Sequence, residues 1–291
     1  MVTETIITDV TVELIRNAET ILPNDVKDTI ERAYEQETDE IPKTQLKNIL
    51  NNIKLAQESK IPMCQDTGVQ IFFVWLPKNG CESSPSQISN SIRSGVSRAT
   101  KEVPLRPNTV HPLTRANAGD NTGEHMPYIN FKQSDNEYLE LAVLPKGAGS
   151  ENMSALKMLT PAQGIKGIKK FVLDTLLNAG GKPCPPIILG IGIGGSADIS
   201  MKLAKEALLR PIDQHHSDPQ IAALEQELYE ILNGIGIGPM GLGGKTSLLG
   251  VSIEYAHCHT ASHPVAINVQ CWAARRARAK IYTDGKIEYG V

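Results

Sequence analysis

Pro62-Met63-Cys64-Gln65-Asp66-Thr67-Gly68 runs directly into the apolar segment Val69-Gln70-Ile71-Phe72-Phe73-Val74-Trp75-Leu76. The second half reads as a buried strand: a short run rich in β-branched and aromatic residues, bounded by a glycine. The first half puts a thiol, an amide, a carboxylate and a hydroxyl at four consecutive positions at the mouth of that strand. A plain turn uses the glycine and the aspartate but has no need of the cysteine and the glutamine. The stretch therefore predicts a core strand entered through a turn that offers one metal ligand together with substrate-facing polar groups. The remaining ligands must come from elsewhere in the chain.

Upstream, residues 8–59 have a helical period. Val10, Val12, Leu14 and Ile15 open the pattern, and Pro23-Asn24-Asp25 starts a second helix with Val26, Ile30 and Tyr34 on one face. A third is predicted from Thr44 to Lys60 through Leu46, Ile49, Leu50, Ile53 and Leu55. Residues 1–60 thus read as a mostly helical N-terminal region packed on a sheet, carrying no chemistry. Downstream, a turn-rich loop holds Cys81 as an incidental thiol, and a helix follows from Pro85 to Lys101. Alternation over 137–144 predicts a strand, residues 161–178 a helix ended by Gly180-Gly181, and Ile187–Leu189 another strand. A helix over 196–209, strands over 246–256 and 265–272, and a hairpin over 280–288 turning at Asp284-Gly285 complete the pattern. Strand–helix alternation after residue 60 predicts a mixed α/β fold in one domain spanning 1–291. The strand order does not follow from the pattern.

Composition narrows the function. At 291 residues the chain is long enough for a large core, and a net charge of −3 leaves no basic footprint for nucleic acid. No apolar run is long enough to span a membrane, and the N-terminus lacks the layout of a signal peptide, so the expected location is the cytoplasm. The cysteines, Cys64, Cys81, Cys184, Cys258 and Cys271, are odd in number, widely spread and without a CxxC pair. This argues against a disulfide framework and against a zinc ribbon.

Several stretches offer chemistry. Residues 104–130 form a long loop of moderate hydrophobicity, the kind that in compact domains is usually functional. Within it Arg106 is either a bidentate grip for a carboxylate or half of a structural ion pair. Lys146-Gly147-Ala148-Gly149-Ser150 follows a strand, where backbone N–H groups can converge on an anion. Gly190-Ile191-Gly192-Ile193-Gly194-Gly195 satisfies GxGxxG between a strand and a helix, so a nucleotide-binding module is one alternative. The acidic residue expected about 20 positions on is missing. Gly243-Gly244-Lys245-Thr246 fails as a P-loop, because Pro239 stands where its first glycine belongs. His257-Cys258-His259-Thr260-Ala261-Ser262-His263 packs three histidines and a thiol into seven residues, so a local zinc clip is a further alternative; an acid/base histidine fits better. Cys64, Cys184 (between prolines) and Cys271 each adjoin a predicted strand. They read either as core thiols or as three ligands of an iron–sulfur cluster whose fourth iron stays open as a Lewis acid.

Met63 to Gly68, Lys146 to Ser150, Cys184-Pro185-Pro186 with Gly194-Gly195-Ser196-Ala197-Asp198, and the run from His259 through Cys271 together resemble the class I (iron–sulfur) fumarate hydratase and L(+)-tartrate dehydratase family. The likeness is to the alpha subunit and covers nearly the whole chain from about residue 10, with the motifs in the family's order. It implies a hydro-lyase that reversibly dehydrates a small hydroxy-dicarboxylic acid, with (S)-malate to fumarate first and L(+)-tartrate second. It also implies a [4Fe-4S] cluster on Cys64, Cys184 and Cys271. Gln65, Arg106, Gly147 and Gly149 fall on substrate-binding positions, and Asp66 and His259 are expected to pair as catalytic groups. Single-chain family members carry a second domain with further carboxylate-binding residues. The chain stops at Val291 without one, so a separate beta subunit in an α2β2 complex is expected. His263 stands where some relatives carry a cysteine that is not a cluster ligand.

Overall fold

The computed structural model describes residues 2–290. Its helices are α1 (Glu4–Thr20), α2 (Asn24–Gln36), α3 (Glu40–Ser59), α4 (Pro85–Glu102), α5 (Ala148–Glu151), α6 (Gly164–Ala179), α7 (Ala197–Ala207) and α8 (Pro219–Asn233). The strands are β1 (Val69–Leu76), β2 (Tyr128–Gln133), β3 (Leu139–Lys146), β4 (Ala155–Leu159), β5 (Ile187–Gly194), β6 (Leu248–Ala256), β7 (His263–Gln270), β8 (Ala277–Ile281) and β9 (Ile287–Gly290). The fold is mixed α/β with a helical N-terminus and two mixed sheets, as the pattern predicted. The chain forms two compact units, each assembled from separate segments.

The first unit takes the chain up to Pro23, Asn52–Gly147 and the segment from Arg275 on. Its five-stranded sheet has the order β2-β1-β3-β8-β9, parallel only between β1 and β2. Helices α1 and α4 cover one face. Ile7, Leu14 and Ile15 meet Ile88, Ile92 and Val96 over Phe72, Val74, Leu141 and Val143. Alternate residues of β1 and β3 face these helices because side chains on a strand switch face at every step. Phe72 stands opposite Val143, and Val74 opposite Leu141. The start of α4 is fixed by a capping box. Gln87 N–H donates to Ser84 Oγ, and the Ser84 N–H donates to Gln87 Oε1 at 2.9 Å.

The second unit takes Asn24–Asn51 and Ala148–Ala274. Its four-stranded sheet has the order β4-β7-β5-β6, with β5 and β6 parallel and β7 antiparallel between β4 and β5. Val172 and Leu176 of α6 and Leu224, Leu228 and Leu232 of α8 pack over Ile187, Leu189 and Ile191. The intervening positions of β5 are Gly190 and Gly192, and these face α7. A β-carbon on Gly190 would lie 2.0 Å from the Ala204 carbonyl oxygen, and one on Gly192 1.9 Å from that of Ser200. The helix backbone rests on the strand with no side chain between them.

This changes the reading of the glycine run. The strand expected to stop at Leu189 continues through Gly194, so Gly190 to Gly194 are strand and not a loop after one. The space a pyrophosphate would need beside Gly190 and Gly192 holds α7. The nucleotide-module alternative loses its structural basis, since the run lets α7 approach the sheet. The Gly243-Gly244-Lys245 loop is likewise structural: Lys245 N–H donates to Glu37 Oε2 at 2.8 Å and its Nζ to the Gln36 carbonyl at 3.0 Å.

Other boundaries moved for local reasons. Helix α3 begins at Glu40 instead of Thr44, because Pro42 is tolerated in a first turn, where no intrahelical N–H bond is lost. The helix predicted from Pro161 opens as a 3-10 turn over Pro161–Gln163 before α6. Strands β2 and β4 and helix α8 were not anticipated.

Candidate active site

The turn before β1 belongs to the first unit, and it is built to present Asp66. Met63 is buried, and both of its backbone groups are held. Its N–H donates to the Glu19 carbonyl at 2.9 Å, and its carbonyl accepts from Asn52 Nδ2 at 2.8 Å. Cys64 follows, half-buried with a free thiol, and Gln65 is exposed. Asp66 is half-buried, and its Oδ1 accepts from Gly68 N–H at 3.0 Å and from Asn108 Nδ2 at 3.2 Å. Oδ2 turns toward Gly147: a β-carbon there would sit 3.1 Å from Asp66 Oδ2 and 3.6 Å from Arg275 Nη2. Glycine at this position lets the chain pass close to the carboxylate, which a side chain would crowd.

The loop after α4 closes on the same turn. Thr67 Oγ1 accepts from Arg106 N–H at 3.1 Å and donates to the Arg106 carbonyl at 3.2 Å, and Asn121 Nδ2 donates to that carbonyl at 3.1 Å. The Arg106 backbone is pinned at three points while its side chain is exposed. Among the described residues its guanidinium makes no ion pair. The structural ion-pair reading therefore has no support, and the group is available to a carboxylate.

Behind the turn lies a buried ion pair. Arg275 Nη1 meets Glu19 Oε2 at 2.7 Å, with the two side chains 1% and 0% exposed. Burial pushes the Glu19 carboxyl up to about 7 against the opposing pull of Arg275, and the neighbouring Asp66 charge adds to the rise. Gln70 is buried beside them, and its Nε2 donates to the Thr67 carbonyl at 3.1 Å.

Asn108 and the Glu19–Arg275 pair were not singled out from the sequence. Glu19 had a signal, since it continues the buried stripe Ile7, Thr11, Ile15 of α1, four residues apart. Arg275 had a weaker one, standing in the apolar run Cys271-Trp272-Ala273-Ala274. Asn108 had none beyond lying in the long loop.

The second unit holds Gly149, Cys184, His259 and Cys271. Cys184 is half-buried with φ 54, a left-handed conformation that side chains other than glycine and asparagine seldom adopt. Its carbonyl accepts from Trp272 N–H at 3.3 Å, which ties the Cys184 backbone to that of the residue after Cys271. Cys271 is half-buried at the end of β7. Gly149 is exposed in the short α5 turn, which is anchored through Glu151 to Lys205 Nζ at 2.6 Å and to Asn268 Nδ2 at 3.0 Å. His259 is exposed in the loop between β6 and β7, and its Nδ1 accepts from Ala261 N–H at 3.0 Å. With Nδ1 used as an acceptor, the neutral ring carries its proton on Nε2, the nitrogen that can donate.

The histidine-rich loop does not form a metal clip. His257, Cys258 and His259 are exposed, Cys258 Sγ donates to the Ser262 carbonyl at 3.3 Å, and His263 begins β7. Among the described residues, no three His, Cys, Asp or Glu side chains are grouped to hold a single metal ion. Cys81, expected in a turn-rich loop, is half-buried against the core of the first unit.

The family model for fumarate hydratase (Fumerase) matches residues 8–280. The chain belongs to the fumarate hydratase (Fumerase) family. A Methanocaldococcus jannaschii protein provisionally named L(+)-tartrate dehydratase subunit alpha is 56% identical over 283 residues, covering 97% of this chain and 99% of its own. The L(+)-tartrate dehydratase subunit alpha of Escherichia coli K12 is 34% identical over 280 residues, 96% of this chain and 91% of its own. A Geobacillus stearothermophilus protein provisionally named fumarate hydratase class I is 36% identical over 273 residues, which is 91% of this chain but 52% of that protein. Family membership makes the chain part of a hydro-lyase group. Among its described residues no helix is long and apolar enough to cross a membrane.

Proposed function

We propose that this chain is the alpha subunit of a cytoplasmic hydro-lyase that reversibly dehydrates (S)-malate to fumarate, with a separate beta subunit completing the site in an α2β2 assembly. The observation that carries the reading is the presentation of Asp66. One of its carboxylate oxygens accepts from Gly68 and Asn108, and the other lies beside Gly147, 3.1 Å from where a β-carbon there would sit. The exposed guanidinium of Arg106 adds a cation on a pinned backbone. The relatives named as alpha subunits support a partner chain.

Dehydrating a hydroxy-dicarboxylate means losing hydroxide from one carbon and a proton from its neighbour. Arg106 would grip one substrate carboxylate through two parallel N–H bonds, and Gln65 with the backbone N–H groups of Gly147 and Gly149 would orient the rest. Asp66 is held to accept or relay a proton, and His259, protonated at Nε2, to donate one.

The residues present suit an iron–sulfur cluster by their donor chemistry. Cys64, Cys184 and Cys271 are half-buried cysteines outside any disulfide, on irregular backbone or at a strand end, and Cys184 is held in a strained conformation. They would hold a [4Fe-4S] cluster, which when bound supplies a Lewis acid for the departing hydroxyl.

Dehydration of L(+)-tartrate is a second reading, favoured by the names of the Methanocaldococcus and Escherichia relatives. The two acids differ by one hydroxyl, and the same groups serve both. Anaerobic purification of the chain with its beta subunit, followed by assays on malate, mesaconate and tartrate, tests both readings. The expected complex is brown, with about four irons and four sulfides per alpha chain, and turns over malate fastest. A cluster-loaded complex inactive on all three acids, or a colourless zinc protein, would overturn the proposal.

A further inference from the structure

Asn121 lies late in the long loop after α4, 2% exposed and with φ 60, a left-handed conformation that asparagine tolerates better than most side chains. Its amide is used on both sides. Oδ1 accepts from the N–H of Asn108 at 2.7 Å and from that of Thr109 at 3.3 Å. Nδ2 donates to Thr100 Oγ1 at 3.1 Å and to the Arg106 carbonyl at 3.1 Å. Thr100 stands on α4, and Asp120, one residue before Asn121, accepts from Ser97 Oγ of the same helix at 3.2 Å. One buried side chain thus ties the backbone of Arg106, Asn108 and Thr109 to a packed helix. The pattern needs an acceptor and a donor back to back, which an amide has and a carboxylate or an apolar group lacks.

The consequence lies at Arg106. Its N–H and its carbonyl both bond to a single atom, Thr67 Oγ1, at 3.1 and 3.2 Å. Two bonds to one atom make a pivot about which the residue can turn, and the Asn121 amide is the second fixed point. We infer that Asn121 is a positioning residue for Arg106: it sets the direction in which the guanidinium leaves the loop, and so its reach to a substrate carboxylate. A bidentate grip depends on the plane of the fork, so a turn of the backbone spoils the grip although the charge stays. Asn108 depends less on Asn121, because its own side chain still donates to Asp66 Oδ1 at 3.2 Å and to the Gly68 carbonyl at 3.1 Å. Removing the Asn121 amide therefore weakens substrate binding and leaves the turn that carries Asp66 in place.

Arg106 has a carboxylate to grip only on the hydro-lyase reading, so this role rests on that reading. The test uses the anaerobic alpha–beta complex and whichever of malate, mesaconate and tartrate the wild type turns over fastest. Asn121→Gly keeps the left-handed backbone and removes the amide. It should raise KM about 10- to 100-fold, with kcat within about threefold and iron content unchanged. Arg106→Ala should raise KM at least as far. The double variant should match Arg106→Ala within about threefold, since a guanidinium that is absent cannot be misplaced. Asn121→Asp keeps the acceptor and the backbone preference but loses both donors, and it carries the test should Asn121→Gly fold poorly. It should show the same rise in KM, and again none on top of Arg106→Ala. Wild-type KM in the Asn121 variants, a loss confined to kcat or to iron, or losses that add in the double variant would each overturn the role. A wild-type complex inactive on all three acids sinks the hydro-lyase reading itself, and this role with it.

Discussion

Replacing Gly192 by alanine tests whether the glycine run is a packing device. The new methyl would lie 1.9 Å from the Ser200 carbonyl oxygen and 2.7 Å from the Ala204 amide nitrogen, both backbone atoms of α7. Neither can swing aside as a flexible side chain could. Restoring normal contact requires α7 to retreat by roughly 1.5 Å from β5, opening gaps along a helix that packs through Ser200, Ala204 and Ala207, all buried. Overpacking a well-filled core costs about 1–3 kcal/mol and sometimes more. With two backbone clashes the upper end is expected, about 3 kcal/mol. For a chain of this size that lowers Tm by about 6–12 °C. Gly190→Ala, 2.0 Å from the Ala204 carbonyl oxygen, should behave alike. Urea and thermal unfolding followed by circular dichroism measure the effect. A Gly192→Ala protein with wild-type midpoints would refute the packing argument. So would micromolar binding of a dinucleotide to the native chain that the substitution abolishes.

Other outcomes follow from the site. Asn108→Ala removes a donor to Asp66 Oδ1 and another to the Gly68 carbonyl; it should lower stability by about 1–3 kcal/mol and reduce kcat more than it changes KM, as denaturant titration and steady-state kinetics would show. The Glu19 carboxyl releases its proton near 4.5 when unfolded and near 7 when folded, so its contribution to stability is complete below pH 4.5 and is lost as pH rises through 7. That amounts to about 3 kcal/mol over the window, and Glu19→Gln should flatten that part of a stability-versus-pH curve. Serine at Cys64, Cys184 or Cys271 should each remove most of the iron from anaerobically prepared protein, whereas Cys81→Ser and Cys258→Ser should leave it in place. Iron and sulfide assays decide between these patterns.

The helices of the N-terminal region and the β1 strand were legible because their periodicity is local. Leu14, Ile15, Ile88, Ile92 and Val96 announce their faces by spacing alone, and all are buried. Helix α8 had an equally clear signal in Leu224, Leu228 and Leu232 after the Asp218-Pro219 start, though the sequence reading assigned nothing there. The true extent of β5 was not legible. Glycine weakens a strand in isolation, and only the approach of α7 makes Gly190 and Gly192 favourable. Strands β2 and β4 are short edges of their sheets, half-exposed, with little apolar pattern to read. At the site, Cys64 and Asp66 declared themselves through improbable chemistry in a turn. Asn108 and Arg275 stayed hidden because their partners lie 42 and 256 residues away. No local pattern encodes such a pairing.

The place of β8 in its sheet has a consequence for synthesis. This strand lies between β3 and β9, and Arg275, just before it, holds Glu19 of the first helix. While the ribosome makes the second unit, the first unit already has α1, α4 and β1 to β3 but lacks its last two strands. Its β3 strand then presents an unpaired edge, and Glu19 has no counter-charge. Long-range pairings of this kind form late and leave exposed edges open to misassociation. The nascent chain thus depends on residues from Arg275 through β9 to satisfy a charge on α1 and complete a sheet begun at β1, and protein stalled before Arg275 should be the aggregation-prone form.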